Sequence, residues 1–224
     1  MGKLIVIEGL DGCGKATQAQ QLAKRLEKLG HRVRLVDFPD YDHDSSALVK
    51  MYLSGAFGDQ PGDVNAYAAS SFYAVDRYAS FRQFWKKDYD EGCIIVANRY
   101  TTANAVHQMS KLPMEKWDGF LDWLFDYEYN KLGLPEPSVV FQLSMPAEVS
   151  QQLLSSRYGG DESKKDIHER AQEYLDMCRT CSGYAASKQG WNVIQCARDG
   201  RLMSVEDIGE IIWGYVERSG VLSD

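Results

Sequence analysis

A short glycine-rich segment near the amino end constrains the fold of this chain more than any other feature. Residues 9–15 have the sequence GLDGCGK, which matches the pattern GxxxxGK. The segment follows a continuous apolar run at residues 4–7, typical of a buried strand. It precedes a stretch with apolar residues at helical spacing, which ends at Gly30. A strand, a glycine-rich turn and a helix in this order predict a phosphate-binding loop, or P-loop.

The glycines of this loop would let backbone N–H groups converge on phosphate oxygens, because they accept positive φ without a Cβ clash. Lys15 would reach the β- and γ-phosphates as a point charge. The next position normally carries a Ser or Thr hydroxyl that binds Mg²⁺, but here it is Ala16, followed by Thr17. We expect Thr17 or a water molecule to take that place; a glycine turn that binds nothing is the alternative. The predicted ATP-binding residues are Gly9, Leu10, Asp11, Gly12, Cys13, Gly14, Lys15, Ala16 and Thr17.

Short apolar runs alternate with longer helical segments along the rest of the chain. Runs at residues 33–36, 93–97, 138–143 and 193–195 predict further strands. Helical patterns lie at residues 66–84, 117–132 and 205–216, and another helix begins near Pro146. This alternation predicts an α/β fold of the P-loop NTPase type, three layers α/β/α with a mostly parallel central sheet. Because no linker rich in Pro, Gly and Ser divides the chain, we expect one domain over residues 1–224.

One polar segment breaks the alternation. Residues 155–165 (SSRYGGDESKK) contain a glycine pair and are flanked by helical patterns. Such a segment is typical of a short mobile lid, with a plain exposed loop as the alternative.

Charge and cysteine usage exclude several classes of partner. The formal net charge of −7 disfavours nucleic-acid polymers and anionic membranes, although a local pocket can still bind phosphate. No run of 18 apolar residues is present, so we expect no membrane span. Five scattered cysteines are typical of reduced thiols in the cytoplasm. Cys178 and Cys181 have CxxC spacing but lack a second pair or a nearby His, so a helix with two thiols is favoured over a zinc site.

Four further motifs follow the loop in a fixed order. They are FPDY at residues 38–41, an aromatic-x-x-x-Arg pattern from Tyr73 to Arg77, NRY at residues 98–100 and DIHE at residues 166–169. Their order and spacing resemble those of thymidylate kinase over essentially the whole chain. The phosphate-binding loop is shared by all P-loop enzymes, whereas this combination of motifs is far more specific.

The resemblance implies an enzyme that transfers a phosphoryl group from ATP to thymidine monophosphate (dTMP), uses Mg²⁺ and forms a homodimer. Arg77 and Arg99 match arginines that point at phosphate, and planar, permanently charged guanidinium groups suit that role. Tyr73 matches the aromatic residue that stacks on the thymine base, and Asn104 resembles the residue that hydrogen-bonds the base. The implied dTMP-binding residues are Asp11, Phe38, Tyr41, Tyr73, Arg77, Arg99, Asn104 and His107.

The chain departs from the family on the metal side and near the sugar. Asn98 replaces an aspartate expected near Mg²⁺, and Ala16 is a second change there. Thr17 and Asn98 are therefore the residues that the resemblance implies as metal ligands, either directly or through a water molecule. Asp40 stands where several relatives have a basic residue. His107 stands where the family has a bulkier aromatic that crowds a ribose 2′-hydroxyl, which leaves selectivity for deoxyribose open.

The reaction needs no general base, because the second pKa of a phosphate monoester, about 6, leaves the acceptor ionised at neutral pH. Catalysis then consists of holding two polyanions in line and neutralising the charge on the transferred group. Lys15 and Arg99 would act from the side of the loop. The resemblance assigns Arg157, in the predicted lid, as an arginine finger, because the loop itself has Gly12 and Cys13 instead of an arginine.

Two other functions stay open at this stage. A deoxynucleoside kinase would need a carboxylate base after the second strand, a role open to Asp37 or Asp40. A non-catalytic nucleotide-binding protein would be consistent with Ala16 and Asn98.

Several of the site residues also have ordinary structural explanations. Arg77 and Asp76 could lie together on a solvated helix face. Tyr73 and Phe38 could be aromatic residues of the core, and Asn104 could cap a helix.

Overall fold

Five strands form one parallel sheet, which confirms the predicted α/β fold with a mostly parallel centre. The computed structural model describes residues 1–158, 161, 167–170, 172–198 and 201–222, with the backbone alone for 154–158 and 170. The strands are β1 (Lys3–Gly9), β2 (Val33–Asp37), β3 (Ile94–Asn98), β4 (Val139–Ser144) and β5 (Asn192–Gln195). Their order in the sheet is β2-β3-β1-β4-β5. Every neighbouring pair is parallel, as βαβ units require.

The described helices lie between and after these strands. They are α1 (Lys15–Lys28), α2 (Ala47–Leu53), α3 (Ala66–Ser80), α4 (Lys86–Asp90), α5 (Thr101–His107), α6 (Trp117–Phe125), α7 (Ala147–Tyr158), α8 (Ile167–Arg170), α9 (Gln172–Gln189) and α10 (Val205–Ser219). A short antiparallel hairpin, β6 (Ala197–Arg198) and β7 (Arg201–Leu202), follows the last strand of the sheet. Among all the residues that the structure describes, no helix is long and apolar enough to cross a membrane.

Helices cover both faces of the sheet, as the side-chain alternation of β1 demonstrates. Ile5 and Ile7 are buried on one face, in a cluster with residues of α1 and α10. Leu4 and Val6 are buried on the other face, in a cluster that includes Trp85. Because successive side chains of a strand point to opposite faces, the central strand is covered on both sides and reads as a continuous apolar run. The three-layer arrangement is thereby confirmed.

Two wide helical turns interrupt helices that the apolar pattern predicts as continuous. The turns span Phe81–Trp85 and Asp126–Lys131, and each has π-helical hydrogen bonding. At the first turn Trp85 is fully buried and packs edge-on against Phe81, with ring centroids 4.5 Å apart. Such turns insert an extra residue and shift the faces that follow, and they are frequent at functional sites.

The register of the sheet brings the carboxyl ends of three strands together. Asn98 of β3 pairs with Ile7 of β1 on one side and with Asp37 of β2 on the other. In open parallel sheets, ligands bind in the crevice beyond the carboxyl ends of the strands. The residues that follow β1, β2 and β3 therefore converge at the place where a ligand site is expected.

The predicted lid is described only in part. Helix α7 extends to Tyr158, so the first four residues of the predicted segment, 155–158, are helical. Residue 161 is also described, whereas residues 159–160 and 162–165 lie outside the described residues.

Candidate active site

A cavity of about 700 Å³ lies beyond the ends of β1, β2 and β3. It gathers most of the residues that the sequence singles out: Asp11, Gly12, Gly14, Lys15, Ala16, Thr17, Phe38, Tyr41, Tyr73, Arg77, Asn98, Arg99, Asn104 and His107. Gly9, Leu10 and Cys13 belong to the glycine-rich loop without lining the cavity, and the side chain of Arg157 lies outside the described part of the structure. A smaller cavity, about 330 Å³ between α1 and α10, contains none of these residues.

The glycine-rich loop has the backbone of an anion cradle. Gly12 and Gly14 have φ of 79° and 83°, values that a residue with a Cβ rarely adopts. Gly14 is the N-cap of α1, whose first turn contains no acidic residue. The unpaired N–H groups at this helix end carry partial positive charge, so the loop and helix together attract phosphate.

Lys15 folds over the loop at the start of α1. Its Nζ donates to the carbonyl oxygen of Leu10 at 2.8 Å and lies 3.7 Å from Oδ1 of Asp11. The side chain is 8% exposed, so its charge acts in a partly desolvated environment where electrostatic interactions are strong.

Arg99 turns its side chain back towards the loop from the end of β3. It is the one described non-glycine residue with positive φ, 66°, and its N–H donates to the carbonyl oxygen of Ile7 at 3.0 Å. The guanidinium pairs with Asp11 through Nη2, and its Nη1 lies 3.6 Å from Oε1 of Glu8. Backbone strain at a charged residue is a marker of function, because the surrounding structure must hold it in place.

The charges around Asp11 determine its protonation state. Burial by itself would raise the pKa of the Asp11 carboxyl, but Arg99 and Lys15 outweigh burial and lower that pKa well below its usual value. Burial would likewise lower the pKa of Arg99, but Asp11 and Glu8 raise it. The two groups form a permanently charged pair between the loop and the cavity.

His107 is neutral and has a defined tautomer. Burial, and then the charge of Arg99, lower the pKa of His107 well below its usual value. Its Nε2 lies 3.0 Å from Nη1 of Arg99, and because a guanidinium only donates, Nε2 accepts. The proton is therefore on Nδ1, which lies 3.7 Å from Sγ of Cys178. The ring presents no charge to the cavity.

Glu8 and Glu128 are two fully buried acids that the sequence analysis did not single out. Glu8 accepts from the N–H of Gly9 at 2.8 Å and from Thr102 Oγ1 at 2.6 Å, and so joins the loop to α5. Glu128 lies in the wide turn after α6. A signal was present for each, since Glu8 ends an apolar strand and Glu128 falls on the apolar stripe of its helix at i+4 from Leu124. An acid at a core position indicates a partner that neutralises it.

Arg77 is the partner of Glu128, and its contact with the acceptor phosphate stays a prediction. Its Nε donates to Oε2 of Glu128 at 2.7 Å and its Nη2 to Oε1 at 2.5 Å. Its Nη1 lies 3.4 Å from the carbonyl oxygen of Tyr100. Asp76 and Arg77 are each 1% exposed, so the solvated helix face is ruled out. Arg77 still lines the cavity, but as part of a neutralised network in its floor.

Asn104 belongs to the same network. Its Nδ2 donates to Oε1 of Glu128 and to the carbonyl oxygen of Ser70, both at 3.2 Å. Asn104 lies inside α5, so the alternative that it caps a helix is wrong. Because the amide nitrogen is directed at Glu128 and Ser70, the amide oxygen is the atom left for a ligand.

The aromatic residues on the cavity wall differ in burial. Phe38 is 3% exposed and packs against Tyr100 with ring centroids 5.9 Å apart, so it is a core aromatic and a wall residue at once. Tyr73 is half-buried and meets Tyr52 edge-on at 6.4 Å. Tyr41 is 49% exposed at the mouth. An aromatic face on the wall suits stacking with a planar base.

The metal side of the cavity offers oxygen atoms. Thr17 is exposed on the wall, whereas Ala16 has no hydroxyl to offer. Nδ2 of Asn98 donates to Oδ1 of Asp37 at 2.7 Å, and Asp37 is exposed at the cavity. Partial desolvation at the cavity wall raises the pKa of Asp37, and the hydrogen bond from Asn98 acts to lower it. Among the described residues no group of three His, Cys, Asp or Glu side chains could hold a metal ion by itself.

Comparison with known proteins agrees with this geometry. The family model "Thymidylate kinase" matches residues 7–202. A thymidylate kinase of Mycobacterium tuberculosis is 30% identical over 193 residues, covering 84% of this chain and 87% of that protein. One from Danio rerio is 24% identical over 226 residues, covering 98% and 95%. A solved structure of thymidylate kinase from Candida albicans has a TM-score of 0.72 at 20% identity, covering 98% of this chain and 93% of that one. The chain belongs to the thymidylate kinase family.

Proposed function

We infer that this protein transfers the γ-phosphoryl group of ATP to dTMP, giving dTDP and ADP. The observation that carries the inference is one cavity with a phosphate-binding loop on one side and the Arg99 guanidinium facing it. Two phosphorylated molecules placed end to end need cationic groups where their phosphates meet. A family that comprises thymidylate kinases supports thymidine monophosphate as the acceptor.

The acceptor phosphate acts as the nucleophile without a general base. Its second pKa, about 6, leaves it largely ionised at pH 7. His107 is a poor proton acceptor, because its pKa is lowered well below the usual value and its Nε2 already accepts from Arg99, which agrees with a reaction that needs no base. The contribution of the protein is to hold the reactants in line and to neutralise charge.

Lys15 and Arg99 supply that charge in the proposal. Lys15 exchanges its bond to the Leu10 carbonyl for the β- and γ-phosphates of ATP. Arg99 is held by Asp11 in the ligand-free state, and the acceptor phosphate competes for the same guanidinium. Asp11 is then available to the acceptor sugar. In this exchange one anion replaces another on a guanidinium that keeps its charge.

The base of dTMP lies on the opposite side of the cavity in the proposal. Tyr73 stacks on the ring, and Phe38 closes the wall behind it. Asn104 offers its amide oxygen to the N3–H of the base. Arg77, oriented by Glu128, lines the cavity and binds the acceptor phosphate in the proposal. Tyr41 lies at the mouth near the acceptor phosphate, and His107 lies near the sugar.

Mg²⁺ is proposed as the cofactor, and the donor set is compatible with it. The Thr17 hydroxyl and the Asp37 carboxylate are hard oxygen groups beside the loop, and Asn98, hydrogen-bonded to Asp37, stays a proposed metal-side residue through water. When bound with ATP, Mg²⁺ neutralises charge on the β- and γ-phosphates.

A coupled assay of ADP release tests the reaction. We expect dTMP to support faster release than thymidine, and release to require Mg²⁺. A protein that releases ADP with thymidine but not with its monophosphate is instead a deoxynucleoside kinase that uses Asp37 or Asp40 as the base. Asp40 is disfavoured because it binds His43 at 2.7 Å and does not line the cavity. ATP binding without ADP release under any monophosphate indicates a non-catalytic nucleotide-binding protein.

Arg157 is proposed as the arginine finger of the lid. Arg157→Ala should lower kcat by about 10³-fold and leave ATP affinity nearly unchanged, because a finger acts only on the transition state. Steady-state turnover and calorimetric ATP binding are the measurements. Arg82→Ala, at an exposed position, is the matched control. Turnover within about threefold of wild type assigns the finger elsewhere, with Lys164 or Lys165 the next candidates.

The predictions about domain extent, assembly, location and partners also stay proposals. They are a single domain over residues 1–224, a lid at about 155–165, a homodimer, a cytoplasmic location, and no binding of nucleic-acid polymers or membranes.

A further inference from the structure

The strand ends beside the phosphate-binding loop differ in the groups that they offer to a cation. Strand β1 ends beyond Glu8, β2 ends with Asp37 and β3 with Asn98. Glu8 is fully buried and already accepts hydrogen bonds from Gly9 and Thr102. Of these three side chains, Asp37 is the carboxylate with access to the cavity.

The hydrogen bond between Asp37 and Asn98 has a direction. Nδ2 of Asn98 donates to Oδ1 of Asp37 at 2.7 Å, so the amide acts as a donor. Oδ1 of Asn98 is buried and has no hydrogen-bond partner among the described residues. Asn98 therefore turns its nitrogen to Asp37 and its oxygen away from solvent. The carboxylate of Asp37 is therefore more accessible to a metal ion in the cavity than the amide oxygen of Asn98.

The sheet fixes the distance between position 98, where the family has a carboxylate, and position 37, where this chain has one. Asp37 and Asn98 are paired in the register of β2 and β3. Neighbouring strands lie about 4.8 Å apart, so a carboxylate at position 37 lies one strand away from one at position 98. Mg²⁺ keeps several of its waters in protein sites and binds through one or two carboxylates and the phosphates of the substrate. A shift of one strand is within the reach of such a hydrated ion.

We propose that Asp37, oriented by the side-chain amide of Asn98, binds the Mg²⁺ that accompanies ATP and supplies the carboxylate that position 98 lacks. The proposal rests on the proposed kinase function, because it requires ATP in the phosphate-binding loop. It assigns Asn98 a positioning role.

Three proteins test the assignment: wild type, Asp37→Asn and the exchange Asp37→Asn with Asn98→Asp. The first variant keeps a side chain of the same shape and removes the charge. The exchange keeps one carboxylate and one amide in the same pair, with the hydrogen bond reversed. Thermal unfolding of each protein verifies that it is folded.

The measurement is Mn²⁺ binding, by electron paramagnetic resonance, to protein saturated with a non-hydrolysable ATP analogue. Affinity for the analogue is measured separately in EDTA by calorimetry. We expect Asp37→Asn to weaken Mn²⁺ binding about tenfold or more, as loss of a group that holds a metal does, with metal-free analogue affinity unchanged or tighter. The exchange should recover most of the loss.

Three outcomes overturn the proposal. Mn²⁺ affinity of Asp37→Asn within about twofold of wild type excludes a metal role. An equal loss of analogue affinity in EDTA assigns Asp37 to the shape of the cavity. Loss of ADP release with thymidine, at unchanged Mn²⁺ affinity, makes Asp37 a general base. A wild-type protein that binds no analogue with or without Mn²⁺ contradicts the proposed kinase function itself.

Discussion

Arg77 and Glu128 are almost completely removed from solvent, and each neutralises the other. Glu128 accepts four hydrogen bonds: two from Arg77, one from Thr101 at 2.7 Å and one from Asn104 at 3.2 Å. A buried pair of charges adds little stability by itself, but removal of one partner leaves the other uncompensated. The network therefore fixes the orientation of Arg77 and Asn104, the two of its side chains that line the cavity.

Glu128→Gln tests this network at the residue scale. The change keeps the shape and removes the charge, so Arg77 remains buried without its counterion. We expect the free energy of unfolding to fall by about 3 kcal/mol, measured by urea denaturation. Asp126→Asn, an exposed position in the same wide turn, should change it by less than about 0.5 kcal/mol. Equal midpoints for the two variants would contradict a buried counterion role.

Sequence patterns identified the charged residues of the loop but not the partners that hold them. Lys15, Asp11 and Arg99 come from short motifs whose spacing is local, and they do meet at the cavity. Glu128 is 51 residues from Arg77, so the spacing of either motif carries no information about the pair. The direction of the Arg77 side chain depends on that distant acid, so the motif around Arg77 could not predict it.

At the scale of elements, Gly9 joins β1 to the phosphate-binding loop and tolerates no side chain. Its φ is 152°, and a Cβ placed there would lie 2.5 Å from Cys13 Sγ and 2.8 Å from the carbonyl oxygen of Leu143. The carbonyl belongs to the neighbouring strand β4 and is fixed by the sheet. The geometry of the loop thus depends on close contact between two strands at this point.

Gly9→Ala should destabilise the protein by at least about 3 kcal/mol, because it combines backbone strain with a clash against fixed backbone. Gly133→Ala is the matched control, since Gly133 also has positive φ, 67°, but no atom lies within 4 Å of the added Cβ. The control should lose about 1 kcal/mol. Thermal and urea unfolding of both variants measure the difference, and similar losses would mean that the close approach is unimportant.

Elements with a strong apolar pattern were predictable, and those shaped by tertiary contacts were not. All five strands of the sheet follow from short, mainly apolar runs of the expected length. Helix α5, with the sequence TTANAVH, was missed because its β-branched and polar residues have low helix propensity. Burial of nearly all its side chains stabilises it instead. The wide turns at residues 81–85 and 126–131 have no sequence signal of their own, since packing of Trp85 and pairing of Glu128 determine them.

For the whole molecule, a half-buried lysine, Lys111, makes stability depend on pH. Nζ of Lys111 donates to Tyr52 Oη at 2.8 Å and to the carbonyl oxygen of Val64 at 2.9 Å. Burial lowers the pKa of Lys111 to about 7. The unfolded chain binds this proton up to about pH 10, whereas the folded chain releases it near neutrality. Because the unfolded state then binds more protons, the contribution of Lys111 to stability rises with pH between about 7 and 10.

Lys111→Met should remove that contribution. The free energy of unfolding of wild type should rise between pH 8 and pH 9.5 more steeply than that of the variant, by up to about 1.4 kcal/mol per pH unit. Urea denaturation at several pH values gives both slopes. Lys116→Met, at an exposed position, should keep the wild-type slope. If the unfolding free energy has the same pH dependence in wild type and Lys111→Met, a group other than Lys111 is responsible for it.

The five cysteines give the molecule a set of internal reporters. All five thiols are buried, and burial raises the pKa of each, to about 11 for Cys178 and about 12 for Cys196. A neutral, enclosed thiol reacts with an alkylating reagent only while its surroundings are open. Cys13 lies under the loop, with Sγ 4.0 Å from Nζ of Lys15, whereas Cys196 follows the far edge strand β5. The ratio of their alkylation rates therefore separates local opening of the loop from unfolding of the whole chain, without any label being introduced.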